Sequence, residues 1–154
     1  MSPVPSARWA NMPESRDLAA RGSRLIELTD ITAANGALVV AEHPGQLPFT
    51  VERIFTLLDI PEGEVRGTHA HRECEQFLVC LTGSVTAVVD DGVSSDEVVL
   101  DRPSLGLYMP RLTWGRQYRY SHDAVLLVLA SHAYDADDYI HDYDEFTRLA
   151  NEHR

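Results

Sequence analysis

The chain has 154 residues, enough for one domain with a single buried core. Its formal net charge is −11, which argues against a nucleic-acid partner, and its 13 cationic residues are all arginine, which excludes lysine Schiff-base chemistry. No apolar run reaches the roughly 18 residues of a membrane helix, and the N-terminus lacks the apolar segment of a secretory signal. We therefore expect a cytoplasmic protein with no membrane partner.

Residues 1–23 are rich in Pro, Ser, Ala and Arg and show little hydrophobic periodicity, which predicts a loosely docked or poorly ordered extension. From Arg24 onward, short β-type runs alternate with turn signals such as Asn35-Gly36 and Asp91-Gly92. They predict eight or nine strands. Apolar residues spaced three apart then predict a terminal helix: Ile140, Tyr143, Phe146 and Leu149. Residues 24–154 are thus expected to form one all-β sandwich or small barrel capped by a helix.

The segment RGTHAHRECEQ, residues 66–76, carries the strongest chemical signal. If it continues as one strand to residue 81, alternation places His69, His71 and Glu75 on the same face. In a small barrel that face lines a pocket, so all three side chains are expected to point into one cavity. Such a group suits either metal binding, as a facial triad for iron or zinc, or acid–base catalysis by imidazole.

The spacing of Gly63, His69, His71 and Glu75 resembles the first motif of the cupins, which implies a jelly-roll barrel. In metal-binding cupins a second motif supplies a further histidine, five residues after a proline. The matching proline here is Pro110, and the histidine position is Gly115. This departure weakens the metal interpretation and favours acid–base chemistry.

A closer resemblance is carried by RGTHAHRECEQFLVCLTGSVTAVVDDG, by GLYMPRLTW and by the tail ASHAYDADDYIHDYDEF. Over about residues 25–146 the chain is similar to the sugar 3,4-ketoisomerases. The resemblance implies an all-β cupin jelly roll that moves the ketone of a thymidine-diphosphate-linked (dTDP) 4-keto-6-deoxyhexose from C4 to C3 through an enediol. It implies no metal and no cofactor, and a homodimer with exchanged N-terminal strands.

Carried over residue by residue, the resemblance makes His69 and His71 the catalytic imidazoles, with His71 as the base at C3 and His69 as its partner or proton donor. Arg66 becomes a contact of the diphosphate or the sugar. Two departures stand out. The strand before the histidines lacks the tyrosine that relatives use as a proton relay and has Thr56 as its only hydroxyl, and the early Arg-Gly of relatives is Asn35-Gly36.

Further candidates follow from the substrate that the resemblance implies. Glu75 is expected to orient an imidazole, and Arg53 and Arg116 to reach the diphosphate. Tyr108 and Trp114 flank Pro110 and are expected either to pack in the core or to contact the thymine or the sugar.

The remaining residues are expected to be structural. Asp135, Asp137 and Asp138 are expected at the N-terminal end of the final helix, where negative charge is favourable. Tyr134 and Tyr139 are expected to pack that helix on the barrel. Cys74 and Cys80 are predicted to be packing residues.

Three rival functions remain open at this point. A 3,5-epimerase for the same sugars would exchange protons at C3 and C5 and leave the ketone at C4. A metal-dependent cupin dioxygenase would contain stoichiometric iron. A non-catalytic nucleotide-sugar-binding module would bind the ligand without turnover.

Overall fold

The computed structural model describes residues 14–154, which form two antiparallel sheets and a C-terminal helix. The first sheet has six strands in the order β1-β2-β10-β7-β12-β5, namely Ser15–Asp17, Arg24–Glu27, Leu105–Met109, Gln76–Thr82, Val125–Ala130 and Arg53–Leu58. The second has five in the order β13-β6-β11-β8-β9, namely Tyr139–Ile140, Arg66–His71, Trp114–Tyr118, Val85–Asp90 and Ser95–Leu100. A separate hairpin joins β3 (Thr29–Ala33) to β4 (Gly36–Val40). The all-β prediction with a terminal helix is confirmed.

The main core lies between the two sheets and is made of their inward-facing aliphatic residues. Alternation along each strand sends every second side chain inward, as in β12, where Leu126 and Val128 are buried. The cluster is Leu18, Ala20, Leu25, Leu78, Cys80, Val85, Ala87, Val89, Val98, Leu100, Leu105, Leu107, Met109, Leu126 and Val128. Apolar packing therefore fills most of the interior, and polar side chains gather toward one end.

A second cluster covers the outer face of the six-stranded sheet. It includes Phe77, Val79 and Tyr108 from the sheet and Leu47 and Phe49 from the segment after β4. Phe77 lies directly over Gly106 of the neighbouring strand, where a side chain would overlap its ring. The outer face of this sheet is thus a packed layer around Phe77, whereas at the edge strand β5 Ile54 and Leu58 are exposed.

The histidine strand ends earlier than predicted. Strand β6 stops at His71, the chain turns through residues 72–75, and β7 begins at Gln76 in the opposite sheet. The expected single strand across residues 69–81 is therefore wrong, and so is its alternation. After the turn it is the even-numbered Gln76 and Leu78 that face the interior cavity, whereas Phe77 and Val79 face outward.

The C-terminal segment also differs from the prediction. The helix α1 spans Tyr143–Glu152. Asp142 caps its N-terminus, and the Asp142 side chain accepts a hydrogen bond from the Glu145 N–H at 2.8 Å. Residues 136–138 form a short 3-10 turn. Strand β13 follows and pairs with β6, so Ile140 belongs to a strand and not to the helix.

The predicted N-terminal extension overlaps the fold. Strand β1 pairs with β2, and Leu18 and Ala20 are buried in the main core, so residues 14–23 are part of the domain. The rest of the predicted extension, residues 1–13, lies outside the described residues. Helix α1 is far too short to cross a membrane, and residues 14–154 contain no other α-helix.

Candidate active site

A cavity of about 320 Å³ opens between the sheets at the end where β6, β11 and β5 meet. Both sheets contribute apolar and polar side chains to its wall. It is lined by Phe55, Thr56, Leu57, Arg66, Gly67, His69, His71, Cys74, Gln76, Leu78, Met109, Pro110, Thr113, Gln117, Val128 and Tyr139. The two histidines and Arg66 of the predicted site therefore share one cavity, as expected.

His71 lies at the end of β6 and is only 5% exposed. Its Nδ1 lies 2.9 Å from Oδ2 of Asp138, a carboxylate that accepts hydrogen bonds, so the neutral ring carries its proton on Nδ1. The other ring nitrogen, Nε2, is buried and has no hydrogen-bond partner within residues 14–154. This tautomer leaves the lone pair of Nε2 available as a base.

Burial and the nearby charges set the protonation state of this pair. Burial lowers the pKa of His71, and Arg53 and His141 lower it further, whereas Asp138 raises it by its hydrogen bond and charge without cancelling the effect of burial. Burial alone would raise the pKa of Asp138, but N–H donors from Glu73 and Cys74 and the contact with His71 lower it overall. The pair is thus a neutral imidazole beside an ionised carboxylate, and the carboxylate can stabilise an imidazolium.

His69 lies in an aromatic environment. Its ring centroid is 5.0 Å from that of His71, 4.9 Å from that of Tyr139 and 6.0 Å from that of His141. Burial, followed by the charges of His71 and His141, lowers the pKa of His69 to about 4. His69 is therefore neutral over the physiological pH range and can donate and accept hydrogen bonds at once.

Tyr139 closes the cavity over both imidazoles. It pairs with His71 in the β13–β6 register, and its ring centroid lies 4.4 Å from that of His71. The sequence prediction placed Tyr139 between the helix and the barrel because the segment looked helical. The short strand β13 instead turns this ring toward the histidines.

Two arginines of the predicted site lie at different depths. Arg66, at the start of β6, lines the cavity and is exposed, as expected for a group at the entrance. Arg53, at the start of β5, stacks over the rings of Phe55 and Tyr134 at 5.3 and 5.7 Å. Its Nε is buried without a partner among the described residues, and its charge acts on His71. Arg66 thus lines the cavity, whereas Arg53 lies outside its lining and acts on His71 through its charge.

Glu75 does not line this cavity, contrary to the sequence prediction, and Tyr108 packs in the outer cluster, which is one of the two roles expected of it. The Tyr108 hydroxyl donates a short hydrogen bond to Oε1 of Glu75, on the outer side of the six-stranded sheet. The guanidinium of Arg24 lies 5.5 Å over the Tyr108 ring. The turn at residues 72–75 reverses the expected alternation, which explains why Glu75 faces away from the imidazoles.

Trp114 and Arg116 also lie away from the cavity. Thr113, just before β11, and Gln117 within it face the cavity, so Trp114 between them faces away from it. The Trp114 ring packs against Tyr143 and Phe146 of α1, with ring centroids 5.3 and 5.5 Å apart. Arg116 lines a separate open groove with Tyr118. Trp114 therefore seats the helix, and Arg116 is a candidate only for parts of a ligand outside the cavity.

Several functional side chains were not identified from the sequence: Asp138, which holds His71, and the cavity-lining Tyr139, Thr113 and Gln117. Asp138 and Tyr139 were placed in a helix that begins later. Thr113 and Gln117 share a face with Gly115, the position that cupin spacing assigns to a ligand. That spacing was the available signal for this face of β11.

Metal-binding donors within residues 14–154 are grouped once, at His71, Cys74 and Asp138, whose ligand atoms lie within 4.8 Å of one another. Nitrogen, sulfur and carboxylate oxygen are ligands that zinc accepts. The facial triad considered above is not assembled, because Glu75 lies outside the cavity. A metal bound through Nδ1 would replace the His71–Asp138 hydrogen bond, so metal binding there and the base function described above are alternatives.

Comparison with known proteins gives a consistent assignment. The family model described as "WxcM-like, C-terminal" (FdtA) matches residues 21–151. The TDP-4-oxo-6-deoxy-alpha-D-glucose-3,4-oxoisomerase of Aneurinibacillus thermoaerophilus is 40% identical over 126 residues, covering 82% of this chain and 91% of that protein. These matches extend over nearly all of the described fold.

Solved structures agree. The sugar 3,4-ketoisomerase QdtA of Thermoanaerobacterium thermosaccharolyticum in complex with TDP is 33% identical, with a TM-score of 0.82 over 86% of this chain and 97% of that one. The TDP-fucose-3,4-ketoisomerase WlaRA of Campylobacter jejuni is 32% identical, with a TM-score of 0.81 over 85% and 97%. The sugar epimerase NovW of Streptomyces spheroides, 20% identical with a TM-score of 0.73 over 84% and 73%, shares the fold. The predicted jelly roll is confirmed, and the chain belongs to the WxcM-like, C-terminal (FdtA) family.

Proposed function

We propose that this protein is a 3,4-ketoisomerase that converts dTDP-4-keto-6-deoxyglucose into its 3-keto isomer. The observation that carries the proposal is the buried His71, whose Nδ1 is held by Asp138 while Nε2 has no hydrogen-bond partner within residues 14–154 and lies at the cavity. The relatives support the substrate, since QdtA has been crystallised with TDP-4-keto-6-deoxyglucose as a histidine-to-asparagine variant. Moving a ketone to the next carbon needs a base, an acid and a site shielded from water, and no net redox change.

His71 is the proposed base for the carbon-bound proton. Nε2 removes the proton from C3, the electron pair forms the C3–C4 double bond of an enediol, and the imidazolium is stabilised by Asp138 at 2.9 Å. The same imidazolium then returns its proton to C4 as the C3 carbonyl forms. One group thus carries the proton in both steps, and the ring ends neutral.

His69 is the proposed group for the proton on oxygen. When the ketone moves, the C4 oxygen gains a proton and the C3 hydroxyl loses one. A neutral imidazole donates from one nitrogen and accepts at the other, so His69 can perform both transfers by changing tautomer. Its lowered pKa of about 4 keeps it in the neutral form that this requires. In this chain it would serve in place of the tyrosine relay that the resemblance implies.

The diphosphate is proposed to bind at the arginines near the cavity entrance. Arg66 lines the cavity itself, and Arg53 carries a buried, unpartnered Nε among the described residues. Arg116 lies in the neighbouring groove with Arg119, and both guanidinium groups lie within 5.4 Å of the Tyr118 ring centroid. Because the chain carries a net charge of −11, a local arginine cluster is needed to attract a dianionic ligand.

A homodimer with exchanged N-terminal strands is proposed for the assembly. Strand β5 pairs with β12 on one side, and among the described strands it has no neighbour on the other. Its Ile54 and Leu58 are 61% and 52% exposed, and the β3–β4 hairpin exposes Ile31 and Leu38. An open edge beside an apolar surface favours pairing with a second chain.

A cytoplasmic location is also proposed. Its support is the buried free thiols Cys74 and Cys80 and the nucleotide-linked substrate.

The decisive experiment is proton NMR of the wild type and His71→Asn with dTDP-4-keto-6-deoxyglucose in deuterated water. We expect a 3-keto product with the wild type and no product with His71→Asn. The product should carry deuterium at C4 to the extent that the proton on His71 exchanges with solvent before it is returned. Deuterium at C3 and C5 with the ketone still at C4 would establish the epimerase instead. Ligand binding without any turnover would support a sugar-nucleotide-binding module.

Metal content provides the second arm. Elemental analysis and assay after chelation are expected to show activity that does not depend on a bound ion. Stoichiometric iron, or activity lost on chelation and restored by metal, would instead support the metal-dependent interpretation and shift attention to His71, Cys74 and Asp138.

A further inference from the structure

Three buried polar side chains line the cavity and form what we call its polar wall: Thr113, Gln117 and Gln76. Gln117 lies in β11 and Thr113 directly precedes that strand. Both face the cavity, with Gly115 between them in the sequence. Gln76, from β7 of the other sheet, also lines the cavity. All three polar residues are buried, with exposures of 4%, 7% and 8% respectively for Thr113, Gln117 and Gln76.

The amide of Gln117 occupies space that two glycines leave open. A Cβ at Gly67, whose φ is +70°, would overlap Oε1 of Gln117, and a Cβ at Gly115 would lie 3.4 Å from its Nε2. Gly115 is also the residue paired with His69 in the β11–β6 register. The amide therefore lies against β6 on the strand that pairs with His69, and a side chain at Gly67 would displace it.

The hydroxyl of Thr113 is buried and has no hydrogen-bond partner among the described residues. Leaving such a group unsatisfied lowers the stability of the fold, so natural proteins seldom keep one without a reason. Valine has the same shape and would avoid the cost. A buried, unpaired hydroxyl at the wall of a catalytic cavity indicates a partner that arrives with the ligand.

We propose that Gln117 and Thr113 are substrate-binding residues that hold the oxygens of the hexose ring against His69 and His71. This rests on the proposed ketoisomerase function. The groups are neutral, as suits an uncharged sugar ring. Each also donates and accepts: when the ketone and the hydroxyl exchange places, an amide or hydroxyl can satisfy both arrangements, whereas an arginine can only donate.

The test uses Gln117→Met and Thr113→Val, which keep approximate size and remove the hydrogen-bonding groups, with Thr113→Ser as the conservative control. Four quantities are measured for each: kcat and KM with dTDP-4-keto-6-deoxyglucose, the Kd of dTDP, which lacks the hexose, and the midpoint of thermal unfolding. We expect kcat/KM to fall about 10-fold or more in Gln117→Met and Thr113→Val, with an unchanged Kd for dTDP. Thr113→Ser should retain most of the activity.

The unfolding midpoint separates a binding role from a structural one. Thr113→Val should unfold at the same temperature as the wild type or higher, because it removes an unsatisfied buried hydroxyl.

Values of kcat/KM for Gln117→Met and Thr113→Val within twofold of wild type would overturn the proposal, as would equal weakening of dTDP and dTDP-sugar binding. If the wild type shows no turnover, the ketoisomerase function fails. The polar wall is then judged by Kd alone, and dTDP-sugar binding must weaken in the variants while dTDP binding does not.

Discussion

Asp138 accepts a hydrogen bond from Nδ1 of His71 at 2.9 Å, although 67 positions separate the two residues in the sequence. The same carboxylate accepts the backbone N–H of Glu73 at 2.7 Å and that of Cys74 at 3.3 Å. It therefore fixes both the imidazole and the turn that follows it. The orientation of the proposed base depends on a residue from the segment just before the terminal helix.

Replacing Asp138 by asparagine should lower kcat by about 100-fold or more, because an amide at this position can stabilise the wrong imidazole tautomer and no longer stabilises the imidazolium. The pH dependence should change as well. Since Asp138 raises the pKa of His71, its loss should lower that pKa further. The acid limb of kcat/KM, which in the wild type should lie below the ordinary histidine value of 6.5, should move to lower pH in Asp138→Asn.

Asp137→Asn is the matched control, since that neighbouring carboxylate is exposed. It should leave both kcat and the pH profile near wild type. The measurement is kcat and kcat/KM from pH 4.5 to 8.5 for the wild type, Asp138→Asn and Asp137→Asn. A kcat for Asp138→Asn within about threefold of wild type would show that the carboxylate does not orient the base.

His69 should make the protein less stable in mild acid. Its pKa is about 4 in the folded state, against an ordinary value of 6.5, so between these values the unfolded chain binds a proton that the folded chain does not. The contribution of the neutral His69 is complete above pH 6.5 and is lost as the pH falls toward 4, by at most roughly 3 kcal/mol. His71, whose pKa is also lowered, acts in the same direction.

Urea denaturation at pH 7.5, 6.0, 5.0 and 4.5 measures this effect. His69→Gln should reduce the slope of the free energy of unfolding against pH by up to one proton, and His122→Gln, which removes an exposed histidine, should leave it unchanged. Identical slopes for wild type and His69→Gln would contradict the assigned burial effect.

The sequence predicted the all-β fold, the terminal helix and the histidine pair, because these depend on local alternation and on a short motif. It failed where the chain leaves regular structure. The turn at residues 72–75 moves Glu75 to the far side of a sheet, and no period-2 pattern reveals a strand that changes sheets. The sequence could not decide between core packing and ligand contact for Tyr108 and Trp114 for a similar reason, since the face of a strand that points inward depends on its neighbours; both pack in buried clusters.

The segment at residues 134–142 shows the opposite problem. Its apolar residues fit helical spacing, yet residues 139–140 pair with β6, because Ile140 is fully buried there with Trp114 and Phe146. Tertiary packing thus overrides a local helical preference. Asp138, which was assigned to favourable helix charge, instead becomes the partner of His71, and only the three-dimensional pairing brings the two together.

Substitution of Gly106 by alanine should destabilise the protein by about 2 kcal/mol through overpacking. A Cβ at this position would overlap the Phe77 ring, which is fully buried in the outer cluster. Phe77→Leu alone should also destabilise, by leaving a space. The double variant should lose less than the sum of the two, which urea denaturation of all four proteins measures. Strict additivity would mean that the backbone, rather than the ring, limits position 106.

Asp91 connects three parts of the chain. Its Oδ1 accepts the backbone N–H groups of Val93 and Ser94 at 2.8 and 2.9 Å and the guanidinium of Arg154 at 3.1 Å, and its Oδ2 accepts the N–H of Arg21 at 2.8 Å. Burial alone would raise its pKa, but these donors outweigh it and lower the pKa to about 2. The carboxylate thus joins the β8–β9 turn, the segment between β1 and β2, and Arg154, which lies two residues after helix α1.

We expect Asp91→Asn to reduce the free energy of unfolding by about 1–3 kcal/mol at pH 7, because its amide places a donor toward groups that also donate. The stabilisation by ionised Asp91 is complete above pH 3.8, the ordinary value, and is lost as the pH falls toward 2. The difference in the free energy of unfolding between Asp91→Asn and the wild type should therefore become smaller near pH 3. Asp101→Asn, which changes an exposed carboxylate, is the control in urea denaturation at both pH values. A difference that stays constant from pH 7 to pH 3 would show that Asp91 acts through the shape of the turn and not through its charge.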